Sequence, residues 1–291
     1  MQVPAPFQYE RATSLEHAIS LLERLGPEAR PIAGGHSLLP MMKLRLAQPE
    51  TLVDLNDLSE LARIHLEDGE LRLGAMVRHA DVLSSALVGE HFRILHDAER
   101  VIADPIVRNR GTVGGSLCQG DPSEDLAAAL VALKANVAVA GPGGERVVAL
   151  RDFHTGPYQT VLGPAEVLTE VRIPIRPGCG SAYEKVERRV GDWAVAAAGV
   201  AVWTEGETIT DIGVGLSAVG GAHFASEPAE QAARGRPASA EVVEAVAEAA
   251  AAGCNPVSDQ RGPADYKRHL AGELTRRALS RAIARSRGEE A

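Results

Sequence analysis

The sequence is poor in aromatic residues: Phe, Trp and Tyr together make up 3% of its 291 positions. So few rings leave little material for base-stacking platforms or aromatic ligand cages. A basic surplus is also lacking. Thirty Lys+Arg stand against 39 Asp+Glu, a formal net charge of -9, which argues against nucleic acid and anionic membranes as partners. No apolar run approaches the about 18 residues that would span a bilayer. From Met1 to Tyr9 there is no basic start followed by an apolar stretch, so no secretory signal is read there and a cytoplasmic protein is expected. Cysteine is scarce as well. Cys118, Cys179 and Cys254 lie far apart with no C-x-x-C pair. That set fits a reducing compartment and cannot supply the four thiolates of an ordinary iron–sulfur cluster.

Common active-site motifs are missing too. There is no G-x-x-x-x-G-K-[ST] for a P-loop and no G-x-G-x-x-G opening a helix after a strand. The nine histidines include no H-E-x-x-H. No G-x-S-x-G elbow supports a hydrolase.

What remains is ordinary globular material, 45% hydrophobic and 24% charged, enough for one large domain or two ordinary ones. Ser14 is placed to cap a helix carrying Leu15, Ile19, Leu22 and Leu25, with Gly26 as its stop. Strands are expected at Arg30–Ala33, Thr51–Val53 and Leu71–Ala75, and a short helix over Ala80–Leu87. A second helix is expected from Asp125 to Ala135. Val137–Ala140 and Val147–Leu150 read as strands paired around Gly141-Pro142-Gly143-Gly144. A strand through Val167, Val171 and Ile173 ends at Pro174, before the linker-like Arg176-Pro177-Gly178. Beyond it, Ala182–Val186, Val195–Trp203 and Ile209–Ala218 read as three antiparallel strands, followed by helices over Ala240–Ala252 and Ala264–Arg285. Strands first and helices after suggest an α+β domain, with a boundary near residue 177. On the last helix, Arg276, Arg277, Arg281 and Arg285 read as a solvated face.

Two glycine-rich segments carry the chemistry. The first is Ala33-Gly34-Gly35-His36-Ser37-Leu38-Leu39-Pro40, directly after a strand. Adjacent glycines allow backbone N–H groups to converge on an anion such as a phosphate, although the same octet serves equally as a strand-to-helix turn. The second is Arg110-Gly111-Thr112-Val113-Gly114-Gly115-Ser116-Leu117, followed by Asp121-Pro122-Ser123-Glu124-Asp125-Leu126. Asp125 could accept hydrogen bonds from a ribose hydroxyl, or simply charge the start of a helix. Two such loops, neither a mononucleotide motif, suggest a long ligand gripped along its length.

These blocks, with Tyr183-Glu184-Lys185-Val186-Glu187-Arg188-Arg189 and Gly191-Asp192-Trp193-Ala194 further on, resemble the FAD-binding medium subunits of molybdenum hydroxylases. This is the carbon monoxide dehydrogenase medium-chain and xanthine dehydrogenase FAD-domain family, and the likeness covers nearly the whole chain. It implies an α+β fold: a two-part FAD-binding domain of the PCMH/VAO type over residues 1–177, with subdomains of about 1–56 and 57–177. A C-terminal α+β domain over 178–291, a three-stranded antiparallel sheet with helices, would follow. The resemblance implies that Ala33, Gly34, Gly35, His36, Ser37 and Leu38, with Thr112, Val113, Gly114, Gly115 and Ser116, cradle the FAD pyrophosphate. It also implies that Asp125 holds a ribose or adenine-side group, that Ile102 and Leu168 pack near the cofactor, and that Lys185 adds a polar or cationic contact. Trp193 stands where relatives can place a ring over the isoalloxazine. The resemblance implies a tyrosine there in carbon monoxide dehydrogenases, so the tryptophan is a departure, and a core role is the competing reading.

The resemblance further implies non-covalent FAD, with His36 as a hydrogen-bonding loop residue, and no catalytic acid or base and no metal in this chain. Molybdopterin would sit on a large partner subunit and two two-iron two-sulfur clusters on a small one, in a dimer of heterotrimers. Electrons would pass from the clusters through FAD to an external acceptor. Neither the complex's substrate (carbon monoxide, a purine, an aldehyde or an N-heterocycle) nor the acceptor (NAD, quinone, cytochrome or oxygen) is legible. A self-sufficient FAD oxidase or reductase and a scaffold without FAD are the other classes considered.

Overall fold

The computed structural model describes residues 3–220 and 223–289. The chain opens with β1 (Gln8–Arg11), α1 (Leu15–Leu25), β2 (Ala29–Ile32), α2 (Leu38–Lys43) and β3 (Thr51–Asp54). As the sequence predicts, Ser14 caps α1, its hydroxyl oxygen accepting from the His17 N–H at 3.1 Å, and Gly26 ends it at φ 72. The three strands pair in parallel in the order β1-β3-β2. Ala18, Leu21 and Leu22 of α1 are buried in a small core with Val53 and Leu55. The loop after β2, which carries the first glycine pair, is thereby held at the end of a sheet strand.

The middle lobe runs through β4 (Ile64–Glu67), β5 (Glu70–Gly74), α3 (His79–Ser84), α4 (Ala86–His91), α5 (Arg93–Val101), α6 (Pro105–Arg108), α7 (Val113–Gln119), α8 (Asp125–Ala132), β6 (Asn136–Gly141), β7 (Gly144–Ala149), β8 (His154–Gly156), β9 (Gln159–Thr160) and β10 (Val167–Pro174). Its five-stranded antiparallel sheet has the order β4-β5-β10-β6-β7. The single helix expected over Ala80–Leu87 is two. Ser85 adopts an extended conformation between α3 and α4 and caps the second, accepting from the Val88 N–H.

The C-terminal part pairs β11 (Cys179–Val186), β12 (Ala196–Glu205) and β13 (Thr208–Ser217) antiparallel, then adds α9 (Glu227–Ala233), α10 (Ala240–Gly253) and α11 (Ala264–Ser286). This sheet is buried on both faces. Val200, Val202, Ile212 and Val214 meet the core of α9, α10 and α11, whereas Ala197, Ala201 and Trp203, pointing the other way, join the middle lobe's core. Two buried faces explain why β12 reads as a continuous apolar run. The arginines of α11 are not simply a solvated face: Arg281 pairs with Glu184 of β11 at 2.5 Å and Arg285 with Asp97 of α5 at 2.6 Å.

All eight residues of α8 are buried, as expected of a helix that is apolar all round. One side of it meets β13, where Gly213 and Gly215 allow backbone to approach backbone. A Cβ on either would overlap a carbonyl oxygen of α8, that of Ala132 or Ala128. Gly215→Val should therefore lower stability by about 3 kcal/mol or more, since neither backbone can give way. Urea unfolding with a shift of less than about 1 kcal/mol would contradict this packing.

Candidate functional site

Backbone contact and two polar side chains, Asn56 and Arg78, bring the two glycine loops together. An added Cβ on Gly34 would overlap the Arg110 carbonyl oxygen, so one loop rests directly on the other. The Asn56 amide donates to the Ala33 carbonyl at 2.8 Å, and Arg78 Nη2 donates to Asn56 Oδ1 at 2.6 Å. Arg78 Nη1 donates in turn to the Arg110 carbonyl. Neither Asn56 nor Arg78 stands out in the sequence; their role comes from a chain of bonds spanning two lobes.

The loops differ in what they leave free. In the second, Thr112 Oγ1 accepts from the Gly115 N–H at 3.1 Å, Gly114 donates to the Ala75 carbonyl, Val113 to that of Val77 and Ser116 to that of Thr112. These amides hold the loop's own shape. In the first, among the described residues, the amides of Gly34, Gly35, His36 and Ser37 have no hydrogen-bond partner. Four adjacent unbonded donors suit an anion. His36 Nδ1 lies 3.1 Å from the Gly34 carbonyl oxygen, bracing the loop from its exposed side. Leu38 is the first residue of α2.

Behind the second loop lies a polar chain that the sequence does not reveal. Ser116 Oγ is 2.9 Å from His79 Nε2, and His79 Nδ1 is 2.9 Å from Glu99 Oε1. His79 and Glu99 are both buried. Burial disfavours the imidazolium, but the charge and hydrogen bond of Glu99 outweigh it, so the His79 pKa is raised.

Further along, Asp125 opens α8 and is fully engaged. Its Oδ1 accepts from the Tyr183 hydroxyl and its Oδ2 from Lys185 Nζ, each at 2.8 Å. Burial, only partly offset by the Lys185 ammonium, pushes its pKa up to about 6. Lys185 Nζ also donates to the Val101 carbonyl at 3.0 Å, beside Ile102. The loop after β11 packs there as well, an added Cβ on Gly191 meeting the Ala103 carbonyl oxygen. Ile102, Asp125, Lys185 and the Trp193 loop therefore meet at one seam between lobes. Trp193 is 42% exposed, which removes the core reading; the core tryptophan is Trp203, covered by the Arg176 guanidinium at 4.2 Å. Leu168 lies buried in the middle-lobe core, paired with Val139.

Glu124, immediately before α8, is buried, and among the described residues no side chain hydrogen-bonds or pairs with its carboxyl group. Burial first, then the nearby charges of Asp125, Asp121 and Glu99, raise its pKa well above the ordinary value. Cys118, near the end of α7, is exposed; desolvation by the surrounding protein and then Glu124 raise its thiol pKa.

Comparison with known proteins decides what this arrangement is. Residues 5–176 match the family described as the FAD binding domain in molybdopterin dehydrogenase, and residues 181–282 the CO dehydrogenase flavoprotein C-terminal domain. The chain belongs to this flavoprotein family. It is 42% identical over 284 residues to the carbon monoxide dehydrogenase medium chain of Hydrogenophaga pseudoflava, covering 97% of this chain and 99% of that one. It is 37% identical to the nicotine 6-hydroxylase medium subunit of Paenarthrobacter nicotinovorans, covering 98% and 100%. Among solved structures, a carbon monoxide dehydrogenase from Hydrogenophaga pseudoflava that lacks the Mo-pyranopterin moiety of the molybdenum cofactor superposes with a TM-score of 0.94 at 44% identity, covering 97% of this chain and 99% of that chain. The chain is thus an oxidoreductase flavoprotein subunit with an FAD-binding domain. Its free loop amides fit the phosphates of that cofactor.

The buried Glu124 gives a pH test. Its folded pKa lies above the ordinary 4.5, so the native protein keeps a proton that the unfolded chain releases. The stability it contributes is fully present below that value and is lost as pH rises through the folded pKa. Glu124→Gln should raise the melting temperature by roughly a few degrees at neutral pH, with the difference from wild type closing near pH 4. A difference independent of pH would contradict a carboxyl held protonated.

Proposed function

We propose that this chain is the electron-transfer subunit of a heterotrimeric molybdenum hydroxylase, binding FAD without a covalent link. The observation that carries this reading is the run of four unbonded amides, Gly34 to Ser37, clamped against the second glycine loop. Those donors hold the two phosphates. The second loop lets its backbone come close and presents the Ser116 hydroxyl. Asp125, Tyr183 and Lys185 anchor the seam, where Asp125 with Ile102 and Leu168 borders the rest of the cofactor and Trp193 covers its approach.

Bound FAD supplies a store for two electrons that can be filled and emptied one at a time. The protein positions that store, and no residue is assigned as general acid or base. Three cysteines cannot give a cluster four thiolates, so the electrons come from a small partner carrying two two-iron two-sulfur clusters. A large molybdopterin subunit oxidises the substrate, and two heterotrimers pair. A division near residue 177, with subdomains meeting near residue 56, puts the glycine loops in the FAD-binding part and Lys185 and Trp193 in the C-terminal part. The relatives are named for substrates as different as carbon monoxide and nicotine, which agrees with substrate choice lying on the large subunit.

Acid precipitation of the purified protein is expected to release FAD into the supernatant and leave a colourless pellet. His36→Ala should still bind FAD. Flavin retained in the pellet would contradict a non-covalent site, and a wild-type protein unable to take up FAD, alone or co-expressed with its partners, would contradict the cofactor assignment.

A further inference from the structure

Ser116 stands at the point where the second glycine loop meets the first: an added Cβ on its neighbour Gly115 would lie 3.9 Å from the Ala33 Cβ. Among the described residues its hydroxyl has one hydrogen-bond partner, His79 Nε2. His79 is built into the loop from beneath. Its N–H donates to the Gly111 carbonyl at 3.2 Å, and Gly111 sits so close over the ring that an added Cβ would lie 2.8 Å from His79 Cδ2. Glu99, from α5, holds the other ring nitrogen.

The direction of this chain follows from donor and acceptor capacity. An ionised Glu99 only accepts, so His79 Nδ1 must carry a proton. If Nε2 carries none, Ser116 donates to it and turns only lone pairs toward the cleft, the wrong polarity for a phosphate. If Nε2 is protonated as well, the hydroxyl oxygen accepts from the ring and its own proton is left to be donated outward. We propose that Glu99 keeps His79 as an imidazolium, and that this fixes Ser116 as a hydrogen-bond donor to the anionic pyrophosphate of the dinucleotide. His79 is then a positioning residue whose charge state sets the polarity of the second loop. This inference rests on the FAD reading above.

Three charged groups bear on the ring. Glu99 from α5 and Asp125 from α8 favour its charged form, and Arg108 from α6 opposes it. Arg108 is itself turned toward the carbonyls of Ile102 and Ala103, and the two carboxylates prevail. FAD affinity should therefore be highest while His79 is protonated and fall as pH rises through its raised pKa.

The test is FAD binding by the flavin-free protein, followed by quenching of flavin fluorescence from about pH 6 to about pH 9, in wild type, Glu99→Gln and Ser116→Ala. Ring-nitrogen NMR of His79 accompanies it. Wild type should show both ring nitrogens protonated at neutral pH and lose affinity roughly tenfold as the ring titrates, the scale of one charge-assisted hydrogen bond. Glu99→Gln should leave the ring neutral, bind roughly tenfold more weakly at about pH 6 and show a flat pH profile. Ser116→Ala should weaken binding similarly while the ring stays charged, an effect that mere support of the loop by His79 does not predict. A neutral ring in FAD-binding wild type, or variants with unchanged affinity and pH profile, would overturn the relay alone. Wild type that binds no FAD at any pH would overturn the cofactor reading as well. Should Glu99→Gln fail to fold, the wild-type ring signals and Ser116→Ala, whose side chain is partly exposed, still decide.

Discussion

Because α8 has no solvent face, the polar groups around its first turn must find partners in protein or lose their charge. That requirement shapes the site. Asp125 takes both its partners from β11, Tyr183 and Lys185, so the C-terminal sheet is tied to the helix that carries the end of the second glycine segment. Tyr183 keeps its proton because burial, and then the Asp125 charge, push its pKa well above the ordinary range. Glu124, one residue earlier, has no such side-chain partners among the described residues, and burial raises its pKa instead. The same burial requires small residues around α8: the alanines within it and the glycines of β13 let sheet and helix backbones touch.

The two glycine loops are alike in sequence and different in use. Thr112 and the carbonyls of Ala75 and Val77 take up the second loop's amides, giving a rigid floor. The first loop lies across that floor with its own donors unbonded, held by Asn56 and Arg78. A rigid surface that supports a donor-rich loop is preorganised, and a ligand then loses little by ordering it. The sheet strands behind each loop supply that rigidity, β2 for the first and β5 with β10 for the second.

Much of this was legible in the sequence, and the reasons are local. Ser14 and Gly26 bracket α1 because capping chemistry acts within a few residues. The three C-terminal strands and the last two helices follow from apolar runs of sufficient length, and the glycine pairs mark both loops. Non-local information was hidden. Ser85 divides one expected helix into two. α6 is a single turn and α7 is built from Val113-Gly114-Gly115-Ser116, so neither shows an apolar period, whereas α5 carries Ile94, Leu95 and Ala98 at helical spacing on one buried face. Asn56, Arg78, His79 and Glu99 are separated by up to 43 residues in sequence and converge only through the fold. A lone histidine near a helix start carries no sign that a carboxylate from another helix will face it. The same holds for Arg281 and Arg285, whose spacing suggests an outer face although their partners sit on α5 and β11. Trp193, a single aromatic residue, has no period that would assign it to the core or to a ligand.

The central claim is that Gly34 to Ser37 hold the cofactor's phosphates through free amides. Hydrogen–deuterium exchange across these four residues, with and without FAD, tests it most directly. Exchange should be fast in the flavin-free protein and strongly slowed on FAD addition, while the internally bonded amides of Val113 to Ser116 are already protected before it. FAD that binds and leaves exchange at Gly34 to Ser37 unchanged would contradict the account.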